Sequence, residues 1–542
     1  MTVYLCQSSD AGNDGRSAGG FEFWFATTDT PAALPEKTKW PEVAIRLEAA
    51  YDECAEICWE TGLELAKQPG AEIARTPTMG AYGTDFRLMI AWVRLAGMLV
   101  DTAERYLILC DDPWLFRQIA MNPDISAGAA PSLSSARLKL SLRGVLSRLR
   151  NAVKLGVASL RLRGQRRAIM KKRPAVLVYG HPGSNANGHD AYFGDLLANE
   201  PLLYRVVHTD CAYGLARSLS GDRTTSLHAW GNPVFAFWLT LTKWRRGPVG
   251  NSPYEHLIER AEAVENSGAG PMMTRWQTHC QNRWIRHTQP TTIIWPWENF
   301  AWERALCRVA KSNGIVAIGY QHTVVGVHQI NFAARLNPDG KASLPDRIIC
   351  NGPAYRRELE DWGHSANHLT VGGAFRVPRP TAVPYAADAP VYFALSASVP
   401  IAREQIKAAR RVAETGNRVL FRDHPMYPVE VEEASNLQRA ATGMLDQPAL
   451  SAVVYSTGTS GLEALLAGLP TIRFQPDDRV AVDVLPAGTG VPGATCATIV
   501  DILKNVGRPT PVDWEKIFAP VDYAIWHSEL LDSTKQKANG LA

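Results

Sequence analysis

The sequence predicts an α/β protein with two Rossmann-like, doubly wound domains and a basic helical insertion in the N-terminal part. Three observations lead there. Between Val419 and Phe474 the run Arg418-Val419-Leu420 ends in Phe421-Arg422-Asp423-His424-Pro425. After it, Val453-Val454-Tyr455 passes through Ser456-Thr457-Gly458-Thr459-Ser460-Gly461 into a helix from near Leu462, which stops at Gly468 before the strand Thr471–Phe474. Strand, loop, helix and strand in that order make half of a doubly wound parallel sheet, with ligands bound beyond the carboxyl ends of the strands. The same alternation runs through 175–180, 292–297 and 315–320, and a proline-rich stretch at 377–390 separates the two regions.

At 542 residues the chain exceeds one ordinary core, and its 46% apolar and 20% charged content is that of a globular protein. Nine scattered cysteines without a Cys-x-x-Cys pair argue against a disulfide framework or a zinc site. The start Met1-Thr2-Val3-Tyr4-Leu5-Cys6 lacks the pattern of a signal peptide, and no run of apolar residues is long enough to span a bilayer. A cytoplasmic location is expected, extending to peripheral association with the inner face of the membrane.

In chain order, residues 1–131 read as the first part of an N-terminal α/β domain. They comprise a strand at 2–7, a glycine-rich loop at 12–20, helices at 41–66 and 85–105, and the strand Tyr106–Cys110. Asp111-Asp112 follows that strand; it resembles a metal-binding pair, but a helix cap before Pro113 explains it more simply. Residues 132–173 hold thirteen basic and no acidic residues, with leucines and valines at helical spacing, in a chain whose net charge is only +4. Such a basic amphipathic helix suits an anionic membrane surface. Nucleic acid is disfavoured because aromatic interleaving and a recognised motif are lacking, while a solvated linker helix is the plain alternative.

Residues 174–376 read as the remainder of that domain. After the strand 175–180 comes a polar, flexible loop, His181 to Asp190, and a helix from near Ala191, a plausible acceptor wall. Glu298 follows the strand Thr292–Trp297, and His322 follows 315–320. A carboxylate among tryptophans at a strand end has its pKa raised and suits proton abstraction from a hydroxyl, though an acid in a helix's first turn is favourable without any chemistry. Glu303, five residues on, reads as structural. Residues 377–390 form the linker, 391–505 a second, C-terminal α/β domain, and 506–542 an amphipathic helix (Trp514 to Leu531) with a polar tail.

In the C-terminal domain, backbone N–H groups at a helix start favour an anion. Ser460 and Glu463 have capping-box spacing and need no ligand, but one helix start needs only about one capping side chain. The surplus Ser456, Thr457, Gly458 and Thr459 therefore reads as a phosphate cradle, with His424 as a second donor.

His424-Pro425 followed by Ser456-Thr457-Gly458-Thr459-Ser460 resembles the "HP" and serine/threonine motifs of bacterial GT-B glycosyltransferases that use CMP-activated sugars, the sialyltransferases, polysialyltransferases and Kdo transferases. Glu298-Asn299…Trp302-Glu303-Arg304 and Gly319-Tyr320-Gln321-His322 look like the "E-G…W-E-R" and "G-Y-Q-H" segments of surface-carbohydrate biosynthesis proteins, with Asn299 where a glycine is expected. The resemblance covers roughly 174–504. It implies a GT-B-like fold, two domains facing a cleft, that transfers Kdo, sialic acid or a related nonulosonate from a CMP-sugar donor to a glycan or lipid-linked glycan acceptor. It further implies that no metal or other cofactor takes part, an absent Asp-x-Asp being in keeping with this. The leaving phosphate would be held by His424, Pro425 and the 456–460 loop, Arg376 or His322 would bind the donor carboxylate, and Glu298 would be the base. A CDP-glycerol-type glycerophosphotransferase is the nearest alternative, since His322 supplies a second histidine. A UDP- or GDP-sugar transferase comes third, and a non-catalytic sugar-nucleotide-binding protein stands outside the enzymes.

Overall fold

Three parallel sheets follow one another along the chain. The first holds β1 (Val3–Cys6), β2 (Phe23–Ala26), β3 (Tyr106–Leu109) and β4 (Ile125–Ala127), in the order β2-β3-β1-β4. The second holds β5 (Ala175–Val178), β6 (Tyr204–Val207), β7 (Thr224–Ser226), β8 (Thr292–Pro296), β9 (Val316–Gln321), β10 (Arg347–Cys350) and β11 (Leu369–Val371). Their order is β11-β10-β9-β8-β5-β6-β7. The third, ordered β14-β13-β12-β15-β16-β17, holds β12 (Val391–Ala394), β13 (Val419–Arg422), β14 (Leu437–Arg439), β15 (Ala452–Tyr455), β16 (Thr471–Phe474) and β17 (Gly493–Ala494). Counted from its own first strand, each of the last two sheets runs 3-2-1-4-5-6, the Rossmann order, with one further strand on the second. The expected pair of Rossmann-like, doubly wound domains is therefore present. The computed structural model describes residues 2–11, 20–31, 34–35, 38–168, 171–247, 252–425, 427–486, 488–509 and 512–530. The glycine-rich loop, except Gly20, and the polar tail lie outside them.

The strands are short apolar runs such as Ala175-Val176-Leu177-Val178, buried along their whole length, because helices cover both faces of a parallel sheet. One core cluster surrounds the second sheet and another the third.

Residues 3–127 form a sheet separate from that of 174–376, packed in a core around Leu5, Phe25, Trp92 and Ile108 that also takes in Trp244, Leu257 and Ile258. Several expectations about helices are corrected. The single helix from Pro41 to Ala66 is two, Val43–Glu53 and Ala55–Ala66, separated at Cys54. The helix from near Ala191 shrinks to Leu196–Asn199. The helix from Trp514 to Leu531 breaks after Ile517, and helical structure resumes over 523–530, because Pro520 cannot continue a hydrogen-bonded turn. This last segment lies on the second sheet: Ala519 N–H donates to the Asn351 carbonyl (3.0 Å) and the Trp526 indole to the Gly372 carbonyl (2.9 Å). A Cβ on Gly373 (φ +92°) would stand 2.1 Å from the Pro520 carbonyl oxygen, so this crossing requires glycine.

The 181–190 loop is tied to β6. Arg205, a buried charge in the middle of β6, donates to the carbonyls of Asn185 (2.7 Å) and His189 (3.1 Å) and pairs with buried Asp190 (3.4 Å). The basic segment forms the helix Leu133–Leu162, capped by Ser132, which accepts from Ser135 N–H. Asp112 is a helix cap, accepting from Trp114 and Leu115 N–H (3.0 Å each), and no described helix is long and apolar enough to cross a membrane.

Candidate active site

The switch point of the second sheet lies between β5 and β8, where the strand order reverses. Glu298 leaves the carboxyl end of β8 there. It is not in the first turn of the following helix, which is Ala301–Ser312 with Phe300 at its N-cap, so capping does not account for it. Its backbone is held on both sides. The buried Glu303 carboxylate accepts from the N–H groups of Glu298 and Asn299 (2.9 Å each), and the Asn331 side-chain amide donates to the Glu298 carbonyl (2.7 Å). Glu303 thus has the structural part expected of it.

Asn299 explains the departure from glycine. Its φ is +59°, a left-handed conformation that glycine adopts freely and asparagine best among the others. The side chain offsets the strain by donating to the Asn331 carbonyl (2.8 Å) and exchanging amide bonds with Asn337 (2.8 and 3.2 Å). Replacing Asn299 by Ala keeps the strain and leaves buried partners unsatisfied. We expect a loss of about 2–4 kcal/mol in urea unfolding, and about 1 kcal/mol less for Gly. Equal stability of all three proteins would remove this account.

Around Glu298 the sheet edge gathers His322, Arg376, Tyr192 and His181. Glu298 Oε1 lies 3.8 Å from His322 Nε2, and the Tyr192 ring meets the His322 ring edge-on at 5.2 Å. The exposed Arg376 guanidinium stands 5.1 Å over the Tyr192 ring, and the His181 ring meets that ring edge-on at 6.0 Å. Burial pushes the Glu298 carboxyl up to about 7, opposed by the positive charge of Arg376. Burial, and then Arg376, hold the His322 imidazole well below its usual value. Both groups are driven toward their neutral forms, so at neutral pH this contact joins a carboxyl poised to lose a proton to an uncharged imidazole. Burial and the charge on Glu298 raise Glu303 to about 8.

The structure thus brings together Glu298, His322 and Arg376. Tyr179 and His181 leave β5 in the stretch read as an acceptor wall. The structure adds His208, which leaves β6 with its ring 4.9 Å from Tyr179 and 4.8 Å from Trp302. Its place directly after a strand was the available signal; β6 was missed because Arg205 interrupts its apolar run.

The third sheet has its own switch point, between β12 and β15. Here Thr457 Oγ1 and Ser396 Oγ, leaving those two strands, share a hydrogen bond of 2.7 Å. Ser396 was not anticipated. Gly458 (φ +104°) has open space where a Cβ would stand. Ser456 is fully buried, its hydroxyl donating to the Phe474 carbonyl (2.9 Å), so its side chain stitches β15 to β16. The helix spans Ser460–Leu466, starting two residues earlier than expected, with Thr459 at the N-cap. Thr459, rather than Ser460, bonds to Glu463 (2.7 Å).

His424 and Pro425 form the turn after β13, on the far side of β12 from Thr457 and hence two strand spacings, about 10 Å, along the same edge. Asp423 fixes this turn by pairing with Arg439 and accepting from Val429 N–H (3.2 Å). The Tyr427 ring stacks on His424 at 5.6 Å, and burial lowers the imidazole's pKa, favouring the neutral ring.

No protein-family model matches the chain, and no curated protein matches it. Among solved structures it is similar to CalG4, the calicheamicin glycosyltransferase, over 68% of this chain and 100% of that one, at 13% identity and a TM-score of 0.41. UGT89C1 of Arabidopsis thaliana matches over 68% and 98%, at 14% identity and a TM-score of 0.38. The UDP-N-acetylglucosamine 2-epimerase from Rickettsia bellii matches over 68% and 95%, at 10% identity and a TM-score of 0.36. At such identities and scores these likenesses carry no argument; fold and site stand on the strand order and geometry given above.

Proposed function

We propose that the protein is a GT-B-type glycosyltransferase. On this reading it moves Kdo, sialic acid or a related nonulosonate from a CMP-sugar to a hydroxyl of a surface-glycan or lipid-linked glycan acceptor, without a metal. The observation that carries the reading is Glu298, a carboxyl with a pKa near 7 at the switch point of one Rossmann sheet, with a cation beside it. A base at the operating pH is what removing a proton from a sugar hydroxyl requires. As the acceptor oxygen bonds to the anomeric carbon, its proton passes to Glu298 and the bond from that carbon to the CMP phosphate oxygen breaks. Arg376 would hold the donor's carboxylate. The charge growing on CMP would be met at the third sheet by His424, by the Thr457 and Ser396 hydroxyls and by backbone N–H groups beside Gly458. The hydroxyl proton of Ser456 is already committed, so it leaves this group.

A donor panel with EDTA present tests the reading: CMP-Kdo, CMP-sialic acid, CMP-pseudaminic acid and CDP-glycerol, each with release of nucleotide measured. We expect release of CMP from one of the three CMP-sugars. Consumption of CDP-glycerol alone would transfer the assignment to a glycerophosphotransferase with His322 as its second histidine. Binding of CMP with no turnover of any donor would leave a sugar-nucleotide sensor.

A further inference from the structure

We propose that one face of the helix Leu133–Leu162, continued by the chain at 234–241, docks this protein onto an anionic lipid surface. The helix enters the fold by its opposite side, where Ala152, Leu155, Ala158 and Leu162 are buried. Its other side presents Leu138, Leu142, Leu146, Leu149, Val153 and Leu160, all exposed, Leu146 to 68%. On a 3.6-residue wheel these six lie within about a third of the circumference, so they form one stripe rather than scattered side chains.

The sequence alone does not show that the stripe continues onto a second element. The helix Pro233–Trp238 packs across the long one at Gly156, where a Cβ would stand 3.9 Å from Pro233 and 4.0 Å from the Phe237 ring. On the outer side of this crossing, Trp238 is 68% and Leu241 75% exposed, with Phe237 beside them. A contiguous apolar surface of this kind marks an interaction site.

Charge selects the occupant. Lys139, Arg143, Arg150, Lys154 and Arg161 are exposed beside the stripe, and residues 132–173 include no acidic side chain. A second copy of the same face would set cations against cations. Nucleic acid would use the cations but leave the leucines in water. A bilayer with anionic headgroups satisfies both, with the apolar face among the upper acyl chains, the cations at the phosphates and Trp238 at the boundary it prefers. This inference does not depend on the transferase reading.

Co-sedimentation of the full-length chain with vesicles tests it. Binding is expected to phosphatidylserine-containing vesicles, weakly to phosphatidylcholine alone, and to fall as salt rises. Trp238→Ser with Leu241→Ser, and separately Leu146→Ser with Leu149→Ser, should each lower the partition coefficient at least about tenfold. Each reversal among Lys139→Glu, Arg143→Glu and Lys154→Glu should lower it about fivefold. Because the replaced side chains are exposed, each variant should melt as the parent does; should one melt lower, the vesicle-composition and salt arms decide without it. Equal binding to both vesicle types, or binding unchanged in the serine variants, overturns the proposal. So does a dimer in sedimentation velocity that the serine variants abolish, or nucleic-acid binding that they leave intact while vesicles are ignored.

Discussion

Glu298→Gln should lower kcat/KM for donor consumption by about 10²–10⁴-fold and erase the acid limb of its pH profile. In the parent protein a base with a pKa of about 7 must be deprotonated to act, so the rate should rise with pH through that value and level off above it. Glutamine has the shape of the protonated carboxyl and cannot take the proton, so the variant should be slow and flat across the same range. Folding gives an independent readout. The Glu298 carboxyl stands above its ordinary value in the folded protein because ionisation at this partly buried site, 28% exposed, is penalised. Between the unfolded value and about 7 the folded state binds the extra proton, so this group's contribution to stability declines as pH rises through that window. The glutamine variant escapes that decline and should melt no lower than the parent at pH 8. Full activity in Glu298→Gln would remove the base; low activity with a collapsed melting temperature would make Glu298 a residue of the fold.

His424→Ala should reduce turnover at least about a hundredfold with little change in acceptor KM. Asp423 fixes the turn that holds His424 by pairing with Arg439 and accepting from Val429 N–H, and the substitution leaves these bonds in place. Burial lowers the imidazole's pKa, and in either protonation state the ring carries an N–H of the kind a phosphate oxygen accepts from. The benefit grows as charge develops there in the transition state, which places the loss in kcat. Asp423→Asn should give a milder defect by loosening the turn. An alanine variant as fast as the parent would detach His424 from the chemistry, and one altered only in KM would make it a ground-state binding residue.

Much of the architecture was legible because it is local. Runs such as Thr292-Ile293-Ile294 and Val453-Val454-Tyr455, each ending in polar residues and followed by a helical period, lead to buried parallel strands with the candidate site residues at their carboxyl ends. That logic located Glu298, His322 and His424 without any contact being known. It failed where a residue's part is set by something distant in sequence. Arg205 looks like a break in a strand until Asp190 and two carbonyls surround it, and Ser456 reads as a ligand group until its hydroxyl is seen to donate to the Phe474 carbonyl.

By itself the sequence determined the α/β alternation, the two Rossmann-like domains, the basic helix and the strand ends at which chemistry is possible, because periodicity and chain punctuation are properties of neighbouring residues. Long-range contacts alone put residues 3–127 in a separate sheet, set Asn299 at a left-handed position supported by Asn331 and Asn337, and bring the segment carrying the exposed Trp238 and Leu241 across the basic helix. Each of these depends on which strand pairs with which, or on which helix crosses which. Such pairings are settled by burial and hydrogen bonding between segments far apart in the chain, and no local pattern encodes them.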